Sequence, residues 1–238
     1  MIWKQHHKFH SWFFQKDWAN RIQLWISLIL QLAIFAVLVG SFYEKHWLVA
    51  FTAAVVFMLT FLPAIIEHQL KVHLPIEFSL VTCLFLYAAF GLGEVRHFYY
   101  KFWWWDIMLH SFSALVIGLI GFLLVYVFYS TRRIRMAPIY VALISFGFAV
   151  TTGTLWEIFE FTMDWGFGFN MQKSGLVDTM TDLMVDTLGG MLAAWLGYKY
   201  VKKGGAAIVD GIIRRFVANN PQLFSPQDLE KQDIKKEK

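Results

Sequence analysis

Cysteine is nearly absent from this chain: Cys83 stands alone among 238 residues, which excludes a disulfide framework within the chain. Charge is scarce too. Asp, Glu, Lys and Arg make up 16% of the sequence, against about 25% in a soluble globular domain, which counts against a water-soluble globule. There is no Gly-x-Ser-x-Gly elbow, no His-Glu-x-x-His pair and no Walker-type phosphate loop, so these routes to hydrolysis or nucleotide binding have no signature here. No internal repeat is visible, and nothing indicates a nucleic-acid partner or an organic cofactor. Apolar residues are abundant instead. They account for 58% of the chain and aromatics for 18%, with a mean hydropathy of +0.50. This composition predicts an all-α, polytopic transmembrane helix bundle.

Six apolar windows reach or approach the roughly 20 residues a helix needs to cross a hydrocarbon core. They are Ile22–Phe42, Trp47–Ile66, Ile76–Gly93, Asp106–Tyr129, Pro138–Phe161 and Thr179–Val201. Helices are preferred because lipid offers no partner to backbone N–H and C=O groups, and no strict two-residue alternation suggests a barrel. Lys and Arg set the orientation. With the N-terminus inside, only Lys45, Arg96, Lys101 and Lys173 of the 21 basic residues fall in outer loops. The other 17 fall inside, so both termini are expected to be cytoplasmic. Residues 1–21 form a basic N-terminal segment and 22–201 the six-span domain. Residues 202–220 contain an amphipathic stretch, Ala206–Val217, expected as an interfacial helix on the inner leaflet. The polar tail 221–238 is expected to be disordered. Phe98–Trp105 reads as an aromatic belt at the headgroup level.

Several acids stand where a membrane span should have none, each costing about 2.5–3.5 kcal/mol at a helix centre. They are Asp106 in the fourth window, Glu157 and Glu160 in the fifth, and Asp178, Asp182 and Asp186 at and within the start of the sixth, with His110 beside them. Asp164 follows just beyond the fifth window. At about 1.5 Å of rise per residue, His110 lies ~6 Å inward of Asp106, Asp182 ~6 Å inward of Asp178, and Glu157 ~6 Å inward of Phe161. His110, Glu157 and Asp182 therefore reach matching depth on three helices. Residues four apart share a helix face. The ridges read Asp106, His110, Ala114, Gly118; then Ala149, Gly153, Glu157; then Asp178, Asp182, Asp186, Gly190, Ala194. Each ridge is polar outside and small below, and small residues let membrane helices approach closely. The reading is one polar pocket between spans four, five and six, open to the outer side.

So many carboxylates cannot all ionise in a confined place, so the site holds either protons or a cation. Oxygen ligands suit Mg²⁺, Mn²⁺ or Ca²⁺, and a His with carboxylates admits Fe²⁺ or Zn²⁺. The candidate metal ligands are His110, Glu157, Asp178, Asp182 and Asp186, with Asp106 as a further pocket residue. Glu160, one turn from Glu157, is the candidate general base. Asp106 and Asp178 are equally well placed to be helix caps. Cys83, mid-span, reads as packed core, and Gly189–Gly190 as a helix-packing site. Glu67, His68 and His73 fall in an inner loop, where solvated polar residues are ordinary.

The stretches WWDIMLHSFSALVIG, LWEIFEF and MQKSGLVDTMTDLMVDTLGGMLAA resemble the bacterial YjdF-like family of multi-pass inner-membrane proteins. The matching features are Asp106 and His110, the E-x-x-E of Glu157 and Glu160, and the G-x-x-D-T-x-x-D of Gly175, Asp178 and Asp182, within Trp103 to Ala194. A looser likeness extends to VanZ-like membrane proteins, where Asp186 stands at a position often held by Asn. The first resemblance implies a bacterial cytoplasmic (inner) membrane location. The second, through its link to glycopeptide resistance, implies an envelope or lipid-linked substrate. Three readings remain open: a metal-dependent enzyme on such a substrate, an ion- or proton-coupled transporter, and a non-catalytic binding or assembly protein.

Overall fold

The computed structural model describes residues 18–130, 136–203 and 207–224. They are helical throughout, with no strand among the described residues. Contacts divide the chain into two compact units, one up to Phe98 and one from Tyr99 onward.

The first unit opens with α1, Trp18–Tyr43. Residues 1–17 of the basic segment lie outside the described residues, and the chain is already helical at Trp18, four residues before the expected Ile22. The second expected span, Trp47–Ile66, is a correction. It is two helices, α2 (Trp47–Leu59) and α3 (Leu62–Leu70), bent by 42°. Pro63 sits in the first turn of α3. It has no N–H to continue the ladder, and its ring crowds the carbonyl four residues back, so the helix breaks there. Thr60 lies at the break and accepts a hydrogen bond from Gln31 Nε2 of α1 at 3.1 Å. Because α3 runs to Leu70, Glu67 is helical rather than in a loop, and its Oε1 accepts the Leu74 N–H at 2.6 Å. The third span is α4 (Ile76–Leu86) continued by a wider π-helical segment, Tyr87–Val95. Cys83 is buried in α4, as a packed thiol should be.

After a helical turn, α5 (Phe98–Lys101), the second unit is three long helices and a short one. They are α6 (Trp105–Ser130), α7 (Pro138–Phe167), α8 (Leu176–Lys203) and α9 (Ala207–Asn219). The three long ones pack on one another pairwise. Two boundaries differ from expectation. Helix α7 runs six residues past Phe161 and ends at Gly168, whose φ of +69° closes the helix in the left-handed conformation. Asp164 is therefore inside the helix, and its carboxylate accepts the N–H groups of Met171 and Gln172 at 2.7 and 2.8 Å. Helix α8 starts at Leu176, which puts Asp178 in its first turn.

Small residues bring the three helices together. A methyl at Gly118 would lie 2.5 Å from Ala193 Cβ, and one at Gly190 would lie 3.0 Å from Ala149 Cβ. Ser145, fully buried, donates to the Gly118 carbonyl at 2.7 Å. The α8 ridge needs a correction at its foot, where Ala193 rather than Ala194 is buried. A four-residue ladder drifts round a helix of 3.6 residues per turn, so the seam steps to the three-residue interval. Below it, Phe122, Tyr126 and Tyr200 form an aromatic cluster with centroids 5.5–6.1 Å apart.

Among the described residues, four helices are long and apolar enough to cross a membrane, or five spans if the bent α2–α3 pair counts as one. Helix α8 is not one of the four; the carboxylates of Asp178, Asp182 and Asp186 interrupt its apolar length. In α9, Ile213, Phe216 and Val217 are buried and Arg214 and Arg215 exposed, while the side chains of Ile208, Val209 and Asp210 lie outside the described residues. The expectation of a disordered tail starting at Pro221 is corrected at its beginning. Pro221–Leu223 form a 3₁₀ turn, and Phe224 is buried edge-on to Phe216. Residues 225–238 lie outside the described residues.

Candidate metal centre

The three long helices carry the acids to one place. His110 comes from the second turn of α6, Glu157 from the C-terminal half of α7, and Asp182 and Asp186 from successive turns of α8. All four are buried: His110 is 8% exposed, Glu157 4%, Asp182 3% and Asp186 3%. Asp106 and Asp178, one turn further out, are partly exposed. The cluster thus grades from half-buried acids at its mouth to buried ones inside.

Two sets of side chains offer ligand atoms within 4.8 Å of one another: His110, Glu157 and Asp182, and Asp106, Asp178 and Asp182. Asp182 belongs to both. His110 Nε2 lies 3.9 Å from Glu157 Oε1 and 3.8 Å from Asp106 Oδ1, too far for hydrogen bonds. Its other ring nitrogen, Nδ1, lies 3.4 Å from both oxygens of Asp186. A proton on Nδ1 donated to Asp186 leaves the Nε2 lone pair facing Glu157. That is how a second carboxylate fixes the tautomer of a ligating histidine. Asp186 is in neither set; it positions His110.

Among the described residues no hydrogen bond shorter than 3.5 Å reaches either carboxylate oxygen of Glu157, and the Thr179 side chain is a donor at longer range. Asp182, as deeply buried, has no hydrogen bond among the described residues. A buried ionised carboxylate without partners is strongly unfavourable. Two such carboxylates with ligand atoms within 4.8 Å of each other and of the His110 ring suit a cation between them.

The mouth is held by the loop between α7 and α8. Asp164 grips its backbone, as described above. Asn170 Nδ2 donates to Tyr100 OH at 3.3 Å, and Gln172 Nε2 to Thr179 Oγ1 at 2.6 Å. The Lys173 N–H donates to Asp178 Oδ2 at 3.1 Å, so Asp178 holds the loop as well as facing the cluster. The Lys173 ammonium is 3.0 Å from Asp106 Oδ2 and 3.4 Å from the centre of the Tyr99 ring. Glu160 does not join either set. It accepts a hydrogen bond from Trp156 Nε1 at 2.9 Å on its own helix.

Sequence reasoning passed over two participants. Gly153 was expected as packing, but a Cβ there would overlap the Asp186 carboxylate, so the glycine is the space that Asp186 occupies. Lys173 was counted only for orientation, although its position five residues before Asp178 lets it reach back over the mouth.

These features define a helical membrane protein with a buried histidine–carboxylate cluster. A family model described as predicted membrane protein (DUF2238) matches residues 26–203, and the chain belongs to that family. An uncharacterized protein of Thermotoga maritima is 37% identical over 135 residues, covering 54% of this chain and 64% of the relative. The match thus spans less than two thirds of that relative's length. No solved structure matches the chain.

Proposed function

We propose that this is a six-span protein of the bacterial inner membrane, with both termini cytoplasmic, that binds a divalent cation through His110, Glu157 and Asp182. The observation that carries the reading is Glu157: 4% exposed, with no hydrogen bond shorter than 3.5 Å on either oxygen, and within 4.8 Å of ligand atoms of His110 and Asp182. The donor set, one imidazole and carboxylates, suits Mn²⁺, Fe²⁺ or Zn²⁺ before Mg²⁺ or Ca²⁺. Asp186 holds the ring of His110, and Asp106 and Asp178 add negative charge at the mouth.

The six-span count takes α8 as a span. With 28 residues it is about 42 Å long, enough to cross, and its acids turn inward to the cluster rather than to lipid. The lopsided Lys and Arg distribution then puts the cluster at the outer face. A divalent cation would supply Lewis acidity there, activating water and polarising a phosphoryl or carbonyl oxygen. Glu160, one turn from Glu157 and outside both ligand sets, has Oε2 beside the oxygen that Trp156 holds, and Oε2 can take up a proton. The aromatic residues Trp103, Trp104 and Trp105 sit at the start of α6, at the level where an amphipathic molecule would approach. We therefore read the site as that of a metal-dependent enzyme acting on a lipid or lipid-linked envelope substrate, in keeping with the YjdF-like resemblance and the looser VanZ-like one.

Elemental analysis of the full chain purified in detergent tests the reading. At least one divalent ion per chain is expected, lost in Glu157→Ala and in Asp182→Ala. A protein that stays metal-free after equilibration with Mn²⁺, Fe²⁺ and Zn²⁺ would contradict it.

A further inference from the structure

The geometry points to a second cation position, making the site a dinuclear centre in which the Asp182 carboxylate is shared between the two ions. The inference rests on the metal-binding reading above and deepens it. Asp106, Asp178 and Asp182 form their own set, with ligand atoms within 4.8 Å, alongside the set of His110, Glu157 and Asp182. Asp182 is the common member, is 3% exposed and has no hydrogen bond among the described residues. A carboxylate has two oxygens, so one can serve each set. Carboxylate-bridged pairs of ions stand about 3.5–4 Å apart, a separation compatible with ligand sets that share one side chain.

Charge favours two ions over one. Among the described residues, His110 and Lys173 are the cationic groups seen paired with the cluster of Asp106, Glu157, Asp178, Asp182 and Asp186. With the carboxylates ionised and His110 neutral as a ligand, one divalent ion and Lys173 leave two negative charges uncompensated in a buried place. Two divalent ions and Lys173 balance the five carboxylates.

The two positions differ in chemistry. The inner one has a nitrogen ligand and suits borderline ions. The outer one is all oxygen and suits a hard ion, Mg²⁺ or Mn²⁺. Lys173 is the device that fills the outer position when no ion is there. Its ammonium lies 3.0 Å from Asp106 Oδ2 and 3.4 Å from the Tyr99 ring centre. An incoming cation takes Asp106 from it, and the ammonium keeps the aromatic face as its resting place.

Mn²⁺ fits both positions and is paramagnetic, so it is the probe. The metal-stripped full chain in lipid nanodiscs is titrated with Mn²⁺ and followed by electron paramagnetic resonance. The expected result is two ions per chain with the spectrum of a spin-coupled pair. Asp178→Asn should hold one uncoupled ion. Lys173→Gln should hold two, the weaker bound about fivefold more tightly because its competitor is gone. That gain is one a folding defect cannot imitate. One ion per chain in the unmodified protein, or two with no coupling, or a Lys173→Gln protein with unchanged weaker binding, would overturn the dinuclear centre and leave the single-ion reading standing. No bound Mn²⁺ at all would overturn both.

Discussion

At Asp186 a carboxylate enters the space between α7 and α8 that only a glycine at 153 leaves open. It holds Nδ1 of His110 at 3.4 Å. Two residues of different helices are thereby coupled through the volume of one methyl group. Gly153→Ala should force the carboxylate aside, costing about 1–3 kcal/mol as overpacking does in a filled interior. Made in an Asp186→Ala background, where the clashing group is gone, the same change should cost far less. Thermal unfolding of the four proteins in detergent measures that difference as a coupling energy; equal costs in both backgrounds would refute the contact. The acids and His110 were legible in the sequence, because ionisable residues inside apolar windows stand out. The roles of Gly153 and Lys173 were not. A glycine in a small-residue ridge looks the same whether it admits a helix backbone or a carboxylate. A lysine in a loop gives no sign of where its long side chain ends.

Helices α6, α7 and α8 meet along their small residues, and the hydrogen bond from Ser145 to the Gly118 carbonyl ties two of them at a point of close approach. Ser145→Ala should cost about 0.6–1.7 kcal/mol, the range for interhelical hydrogen bonds in membranes. Gly118→Val should cost more, since even its Cβ would meet Ala193 at 2.5 Å. Steric-trap or denaturant unfolding ranks the two, and a Gly118→Val protein as stable as the parent would show that the helices do not approach so closely. The long helices were readable from apolar length alone. Their ends were read less well, and each miss has a local cause. Pro63 breaks the second span because a missing N–H acts on the turn before it. Helix α7 outlasts its apolar stretch because the chain does not leave the helix until Gly168, with Asp164 stitching the loop back to it.

For the molecule as a whole, the composition was enough to read a helical membrane protein, and membership of the predicted membrane protein family agrees. Counting spans is harder because the helix that brings most to the cluster, α8, is the one whose acids spoil its apolar length. Cys83 is the sole cysteine and buried, so topology is open to a direct test. In a Cys83→Ser background, a cysteine at Gln172 should react with a membrane-impermeant maleimide added outside intact cells, and one at Val72 should not. The reverse pattern would invert the orientation and turn the mouth of the cluster to the cytoplasm.

Diffraction from crystals equilibrated with Mn²⁺, collected at a wavelength where manganese scatters anomalously, would locate the metal itself. A peak about 2.0–2.3 Å from His110 Nε2 and from a carboxylate oxygen each of Glu157 and Asp182 is the expected result. A map empty at that position, with Glu157 hydrogen-bonded to His110 or to water instead, would contradict the idea that these side chains are gathered to hold a cation.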